Sequence, residues 1–292
     1  MQFGGHLSTQ RGAHRAADEA REMGMDALQI FTQSPRMWRH PAPDPEAARR
    51  FREHRARARL GAVTCHATYL INLASTDRTV RGRSQRALAA TVEAATGLGL
   101  DSVIVHVGSH RGGGISRALK RIVSAIDTVL GDAGDCRPWL LFENTAGVGD
   151  TMGSTPAELE QVLDALGRPA RVGICLDTCH LWAAGVDIAD AGRVDELVAE
   201  VDDRIGLDRL RCLHANDSAT PLGSRRDRHE NVGRGEIGSG MAVLLGHPRL
   251  QGLPAIMETP GSGHGPDDRE VAALRRLHRN GMRRWARRRA HA

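Results

Sequence analysis

Short runs of apolar residues alternate along the chain with longer stretches in which apolar positions return every three or four residues among charged ones. The runs predict β-strands near 1–6, 27–31, 62–65, 102–105, 139–142, 172–176, 210–213 and 253–257. The periodic stretches predict helices near 13–23, 46–59, 82–98, 115–130, 156–166, 190–205, 239–246 and 267–289. Eight strand–helix units of roughly 35 to 40 residues have the rhythm of parallel βαβ units, and together they fit a single (β/α)8 barrel, an α/β fold. An open doubly wound sheet would instead show a glycine-rich phosphate loop after its first strand, which Gly4-Gly5-His6-Leu7-Ser8-Thr9 does not supply. No linker or shift of composition divides the 292 residues. One domain is expected over 1–280, leaving 281–292 as a basic C-terminal tail, a solvated and frayed end.

The strands end on groups that carry chemistry. The apolar run Val172–Leu176 stops on Asp177, and His180 follows three residues later. The same punctuation recurs: His66, His106, Glu143, His214 and Glu258 each follow an apolar run, and Asp227 and His229 lie in the polar loop after the seventh strand. In a (β/α)8 barrel the C-terminal strand ends converge on one face. Five imidazoles and four carboxylates exceed the needs of one tetrahedral zinc with three protein ligands and a water. They suit two or three divalent cations sharing carboxylate bridges, and the donor mixture fits zinc as well as manganese or iron. A single histidine at a strand end is more often a hydrogen-bonded loop residue. Nine ionisable groups on one rim are another matter, because burying them without a compensating cation costs heavily.

Composition adds a partner. The formal net charge is +5 with a sequence pI near 9.4, and the basic residues are almost all arginine, a balance that suits a polyanion. Aromatic residues make up only 3% of the chain, so the core must be aliphatic and each aromatic merits inspection. Arg36, Trp38, Tyr69 and Leu70 fall in loops on the face of the strand ends. Arginine there can neutralise phosphate, and Tyr and Leu at a loop tip can wedge into a base stack beside an extruded nucleotide. The plainer reading is that Trp38 and Leu70 pack under those loops. Of five cysteines, at 65, 136, 175, 179 and 212, four fall inside or beside predicted strands and read as small buried hydrophobes; the spacing Cys175-x-x-x-Cys179 would allow a metal, but better ligands stand beside both. No basic leader opens the chain and no apolar stretch reaches membrane-spanning length, so a reduced cytoplasmic setting is expected.

These segments taken together resemble the endonuclease IV family, the zinc-dependent apurinic/apyrimidinic endonucleases among the xylose-isomerase-like TIM barrels. The resemblance is carried by Gly5-His6-Leu7-Ser8, His66 to Leu73, His106-Val-Gly-Ser-His110 and Glu143-Asn-Thr-Ala-Gly147. It continues through Gly173 to Asp187, His214-Ala-Asn-Asp217, Gly223 to Gly238 and Glu258-Thr-Pro260. It implies three zinc ions per chain, with manganese admissible at one position. His66, His106 and Glu143 would hold the first ion; Glu143, Asp177, His214 and Glu258 the second; His180, Asp227 and His229 the third. It implies hydrolysis of the phosphodiester 5′ to an abasic site in double-stranded DNA, with trimming of blocked 3′ ends. Glu143 and Glu258 would be catalytic, and Arg36, Tyr69, Leu70, Arg225 and Arg228 would contact DNA. A monomer acting at the nucleoid is expected. The chain departs from the family pattern at Ala67, Thr68, Val107, Val186 and Ala219, the last standing where a lysine is common, so a phosphate contact there is lost or shifted to Arg225 or Arg226.

Two other readings use the same barrel. A metal-dependent sugar isomerase or epimerase needs one or two ions and a proton-shuttling group, fewer ligands than the nine found. A non-catalytic binder of damaged DNA would have no use for an intact ligand set.

Overall fold

A computed structural model describes residues 1–38, 44–133 and 138–290. The first half runs β1 (Gln2–His6), α1 (Ala13–Glu22), β2 (Ala27–Ile30), α2 (Pro45–Ala58), β3 (Val63–His66), α3 (Arg78–Leu98), β4 (Ser102–His106), α4 (Ile115–Ala133) and β5 (Trp139–Glu143). There follow α5 (Pro156–Ala165), β6 (Val172–Asp177), α6 (Thr178–Ala183), α7 (Ala191–Arg204), β7 (Leu210–His214), β8 (Asp217–Ser218) and β9 (His229–Glu230). The chain closes with α8 (Met241–Leu245), β10 (Pro254–Met257) and α9 (Asp268–Ala290). Eight strands form a closed parallel barrel in the order β1-β10-β7-β6-β5-β4-β3-β2, the (β/α)8 architecture expected. Each predicted strand is present.

The differences lie in short elements. Helix α3 starts at Arg78, ahead of the expected 82, because the Asp77 side chain accepts from the amides of Thr79 and Val80 and caps it there. The six-residue α6 and the β8–β9 hairpin have no counterpart among the predicted elements. The helix expected at 239–246 is a 3-10 turn followed by the five residues of α8. The expected frayed tail needs correction. Residues 281–290 are the last turns of α9, and Trp285 is buried with its indole N–H donating to the Val243 carbonyl at 2.8 Å. Gly281 permits this docking, since a Cβ there would sit 1.8 Å from the Ala242 carbonyl oxygen. Cys65, Cys175, Cys179 and Cys212 are buried free thiols, and Cys136 lies outside the described residues.

Strand alternation sets what faces the lumen. Ala27, Ile104, Leu141, Cys175, Cys212 and Ile256 form a buried cluster of their own, apart from the core between strands and helices. Side chains two apart on a strand share a face. Two residues beyond this layer therefore come Gln29, His106, Glu143, Asp177, His214 and Glu258. Gly4 pairs in register with Ala27 and His6 with Gln29, which adds His6 to the same tier, while His66 stands two residues beyond Thr64, the register partner of Gln29, and joins the ring through Glu143 at 3.0 Å. All eight strands thus contribute one polar group to a ring above a small apolar plug.

Candidate metal centre

The ring is tightly packed. Glu143, at the end of β5, is fully buried, and its two oxygens are shared among four imidazoles. Oε2 lies 3.0 Å from His66 Nε2 and 3.6 Å from His106 Nε2; Oε1 lies 3.1 Å from His214 Nδ1 and 3.3 Å from His180 Nδ1. Glu258 Oε2 is 3.2 Å from the same His214 nitrogen. His180 Nε2 and His229 Nε2 flank Asp227 at 3.1 and 3.2 Å. Donor atoms within 4.8 Å of one another fall into three sets: His66, His106 and Glu143; Glu143, Asp177, His214 and Glu258; and His180, Asp227 and His229. Thiols approach two further groupings, Cys175 and Cys212 with His214, and Cys179 with Asp177 and His229. Burial pushes the Cys179 thiol up to about 12 and that of Cys175 well above the usual range, which keeps these two neutral.

Local structure places the members that do not end barrel strands. Asp177 caps α6, its Oδ1 accepting from the His180 amide at 2.9 Å, so the Asp-x-x-His spacing turns His180 back over the ring. His229 sits on β9, held by the antiparallel pairing of Ser218 with His229 and Asp217 with Glu230. Asp217 itself is buried and faces away from the ring. It accepts from the amides of Ser218, Gly235, Ile237 and Gly238, which ties down the loop that carries Asp227 and His229.

The outer nitrogens of the imidazoles are engaged in turn. His66 Nδ1 contacts the Ala67 carbonyl at 2.6 Å, His180 Nδ1 the Asn144 carbonyl at 2.9 Å, and His229 Nδ1 the Glu258 carbonyl at 3.3 Å. His214 Nε2 meets Gln29 Oε1 at 3.0 Å. Carbonyl oxygens only accept, so these nitrogens carry the protons and the opposite nitrogens turn lone pairs to the centre, as metal-binding histidines do. His106 is the exception, its Nδ1 buried without a partner. Asn216 braces the carboxylates, its Nδ2 donating to Asp177 Oδ2 at 2.6 Å and its Oδ1 accepting from the Glu258 amide at 2.7 Å.

Charge decides whether a cation fits. Burial opposes ionisation of Glu143, yet His106, His214 and His180 hold it well below the usual carboxylate range. Burial likewise opposes protonation of His214 and His180, yet Glu258 with Glu143 raises the first well above its ordinary value, and Asp177 with Asp227 the second. His229 rises to about 9 against burial, through Asp227 and Asp177. Without metal, imidazolium ions must therefore stand in as counter-charges to the carboxylates. His229 Nε2 is buried with no hydrogen-bond partner while it points at two carboxylates. In the neutral ring, with its proton on Nδ1, that nitrogen is a lone pair facing carboxylate oxygens, a set of electron-pair donors that a cation would satisfy, and the imidazole–carboxylate mixture fits zinc or manganese.

The residues expected to touch DNA lie around this mouth. Tyr69 is 60% exposed, its ring 5.5 Å from both His66 and Phe31, with half-buried Leu70 beside it. The Thr68 hydroxyl donates to the Pro35 carbonyl, joining the Tyr69 loop to the one that carries exposed Arg36. Trp38 packs against the hydrophobic core. Arg225 and Arg228 are exposed on the turn between β8 and β9, the amide of Arg225 bonded to the Ala183 carbonyl at 2.9 Å. Reading by strand ends missed His6, Gln29 and Asn216. Counting two residues on from the apolar lumen layer would have found the first two.

Residues 17–281 match the family model described as a xylose isomerase-like TIM barrel. The chain is 40% identical over 275 residues to the probable endonuclease 4 of Methanoculleus marisnigri, covering 94% of this chain and 98% of that one. Among solved structures it is similar to endonuclease IV from Thermus thermophilus, at 34% identity and TM-score 0.83, covering 97% of this chain and all of that one. A D-tagatose 3-epimerase-like protein is similar at 20% identity and TM-score 0.70, covering 97% of each chain, a likeness of fold alone. The shared span, the identity and the common architecture give one result: the chain belongs to the endonuclease 4 family of xylose isomerase-like TIM barrels.

Proposed function

We propose that this protein is a DNA repair nuclease that hydrolyses the phosphodiester 5′ to an abasic site, leaving a 3′-hydroxyl and a 5′-deoxyribose phosphate, and that also trims blocked 3′ ends. The observation that carries the reading is the partition of nine imidazoles and carboxylates into three sets of cation-binding size around one buried Glu143. Two ions or fewer would serve a sugar epimerase, and a third set extends beyond that need. In this reading His66, His106 and Glu143 hold one zinc ion. Asp177, His214 and Glu258, together with Glu143, would hold a second, and His180, Asp227 and His229 would hold a third. Zinc so bound would polarise the scissile phosphate, neutralise the leaving oxygen and furnish hydroxide at neutral pH.

The chain's own groups do the rest. Glu258 stands at the ring's edge with one oxygen on Gln29 and the other near His214, placed to orient the attacking oxygen. Glu143 holds two sets together. Tyr69 and Leu70 enter the base stack at the lesion, while Arg36, Arg225 and Arg228 hold the flanking phosphates. The reading is supported by the exposure of Tyr69 directly above His66, since a large exposed ring beside a buried polar centre costs burial energy in the free protein.

The test is incubation with an abasic-site duplex, with and without a chelator, reading the cut position on a gel. Incision 5′ to the lesion that disappears with chelator and returns with zinc is expected. Cutting 3′ to the lesion, or activity indifferent to chelator, would overturn the reading.

A further inference from the structure

Helix α9 carries nine arginines against two carboxylates. The formal net charge of the chain is +5, and Arg283, Arg284, Arg287, Arg288 and Arg289 alone supply that excess, so the acidic and basic residues elsewhere balance. The protein is thus a neutral barrel with its surplus charge gathered on the last two turns of one helix. Those turns are moored. Gly281 sits against the Ala242 carbonyl, and Trp285 is 4% exposed, bonded to Val243 and stacked edge-on against His247 at 4.8 Å. Val271, Leu274, Leu277, Gly281 and Trp285 face the barrel.

Helical geometry then fixes the opposite side. Arg276, Arg279, Arg283 and Arg287, spaced by three or four residues, form one exposed ridge along the outer wall. None of the four makes an ion pair among the described residues, unlike Arg275 on Asp26 at 2.8 Å and Arg288 near Asp195 at 3.6 Å. A ridge of like charges on successive turns repels itself and finds no compensation within the fold. Its companions also argue against insertion into a membrane interface. An interfacial helix needs a free apolar face, and the apolar face of α9 is spent on the barrel.

We propose that this ridge is a second docking surface for duplex DNA, one that binds phosphates along the outward face of α9 without reading sequence. Guanidinium forks on successive turns suit a row of phosphates, and such contacts hold a protein on undamaged duplex while it searches. The proposal extends the nuclease reading but does not need incision to be tested.

The experiment uses the full chain in which Arg276, Arg279, Arg283 and Arg287 are each changed to Gln. A control removes the same charge from exposed Arg50, Arg57, Arg83 and Arg86. Binding of the metal-loaded protein to an undamaged duplex several helical turns long, with plain 3′-hydroxyl ends and so no lesion to cut, is measured as salt is varied. Each lost phosphate contact should flatten the slope of log K against log salt by about 0.9, so a change of about 3 to 4 is expected for the ridge variant. Affinity at about 0.1 M salt should fall at least tenfold, with the melting temperature unchanged and the control near the parent protein. An unchanged slope would overturn the proposal, as would an equal loss in the control, which would reduce the effect to net charge. Loss of binding to phosphatidylserine vesicles with duplex binding intact would also overturn it, in favour of a lipid surface.

Discussion

Gln29 shows how much of a metal centre lies outside its ligands. It is an uncharged residue one place short of the end of β2, fully buried, yet it reaches three groups of the ring. Its Oε1 accepts from His214 Nε2 at 3.0 Å, its Nε2 donates to Glu258 and lies 3.0 Å from His6 Nδ1, and beneath the ring its Oε1 also accepts from the Thr64 hydroxyl at 2.9 Å. That acceptor fixes which His214 nitrogen carries the proton, and so which one faces Glu143 and Glu258. Gln29→Ala should lower zinc affinity at the set containing His214 by roughly 10- to 100-fold, the usual cost of losing an outer partner, measured by competition with a chromophoric chelator. Gln29→Glu keeps an acceptor for His214 and should recover most of that affinity. Equal affinities for parent and Ala variant would show that the tautomer is set elsewhere. Glu258→Gln is a different probe: it should abolish incision while abasic-duplex binding, read by gel shift, stays largely intact.

At the level of elements, legibility followed the strength of the local signal. The barrel strands could be read because each is an apolar run closed by a polar group, and Asp-x-x-His could be read because a capping carboxylate and the first turn of a helix have fixed spacing. The β8–β9 hairpin could not, since two-residue strands offer no alternation to count. Nor could α6, which is too short to show a period. The arginine run after Gly281 misled because like charges suggest solvation, whereas the single Trp285 beneath them decides the packing. Asp217 illustrates what such blindness hides. It looks like a ligand in His214-Ala-Asn-Asp217 but serves as the keystone of the hairpin loop, accepting four backbone amides. Asp217→Ala would leave those donors buried without partners, at about 1–3 kcal/mol each if water does not replace them. The loop should loosen and release Asp227 and His229 from register. Elemental analysis of the purified variant should find one divalent ion fewer than in the parent, with the far-ultraviolet dichroism of the barrel retained. An unchanged metal content would mean that the third set forms without the hairpin.

For the molecule as a whole, the metal centre and the stability of the fold are one problem, because the ring closes all eight strands. Stripped of metal, the ring relies on protonated histidines. His229 faces Asp227, Asp177, Glu258 and His180, and its pKa rises from an ordinary 6.5 to about 9. A group whose pKa is raised on folding stabilises fully below its unfolded value and loses that contribution as pH climbs through the folded one. His214 and His180 are raised in the same sense, while His6 and His106 are lowered by burial and act only below 6.5. Chelator-treated protein should therefore lose stability between pH 6.5 and 9, by roughly 3 kcal/mol from His229 alone. Buried thiols such as Cys65, raised to about 11, contribute a similar slope at the alkaline end of that window whether or not metal is present. The informative quantity is therefore the difference between zinc-loaded and zinc-free protein at each pH, taken from denaturant midpoints. With zinc bound, the imidazoles are already neutral, so the gap between the two forms should widen steadily from pH 6.5 to 9. A gap independent of pH would show that these histidines carry no proton in the metal-free fold, and that its carboxylates are balanced by some other charge.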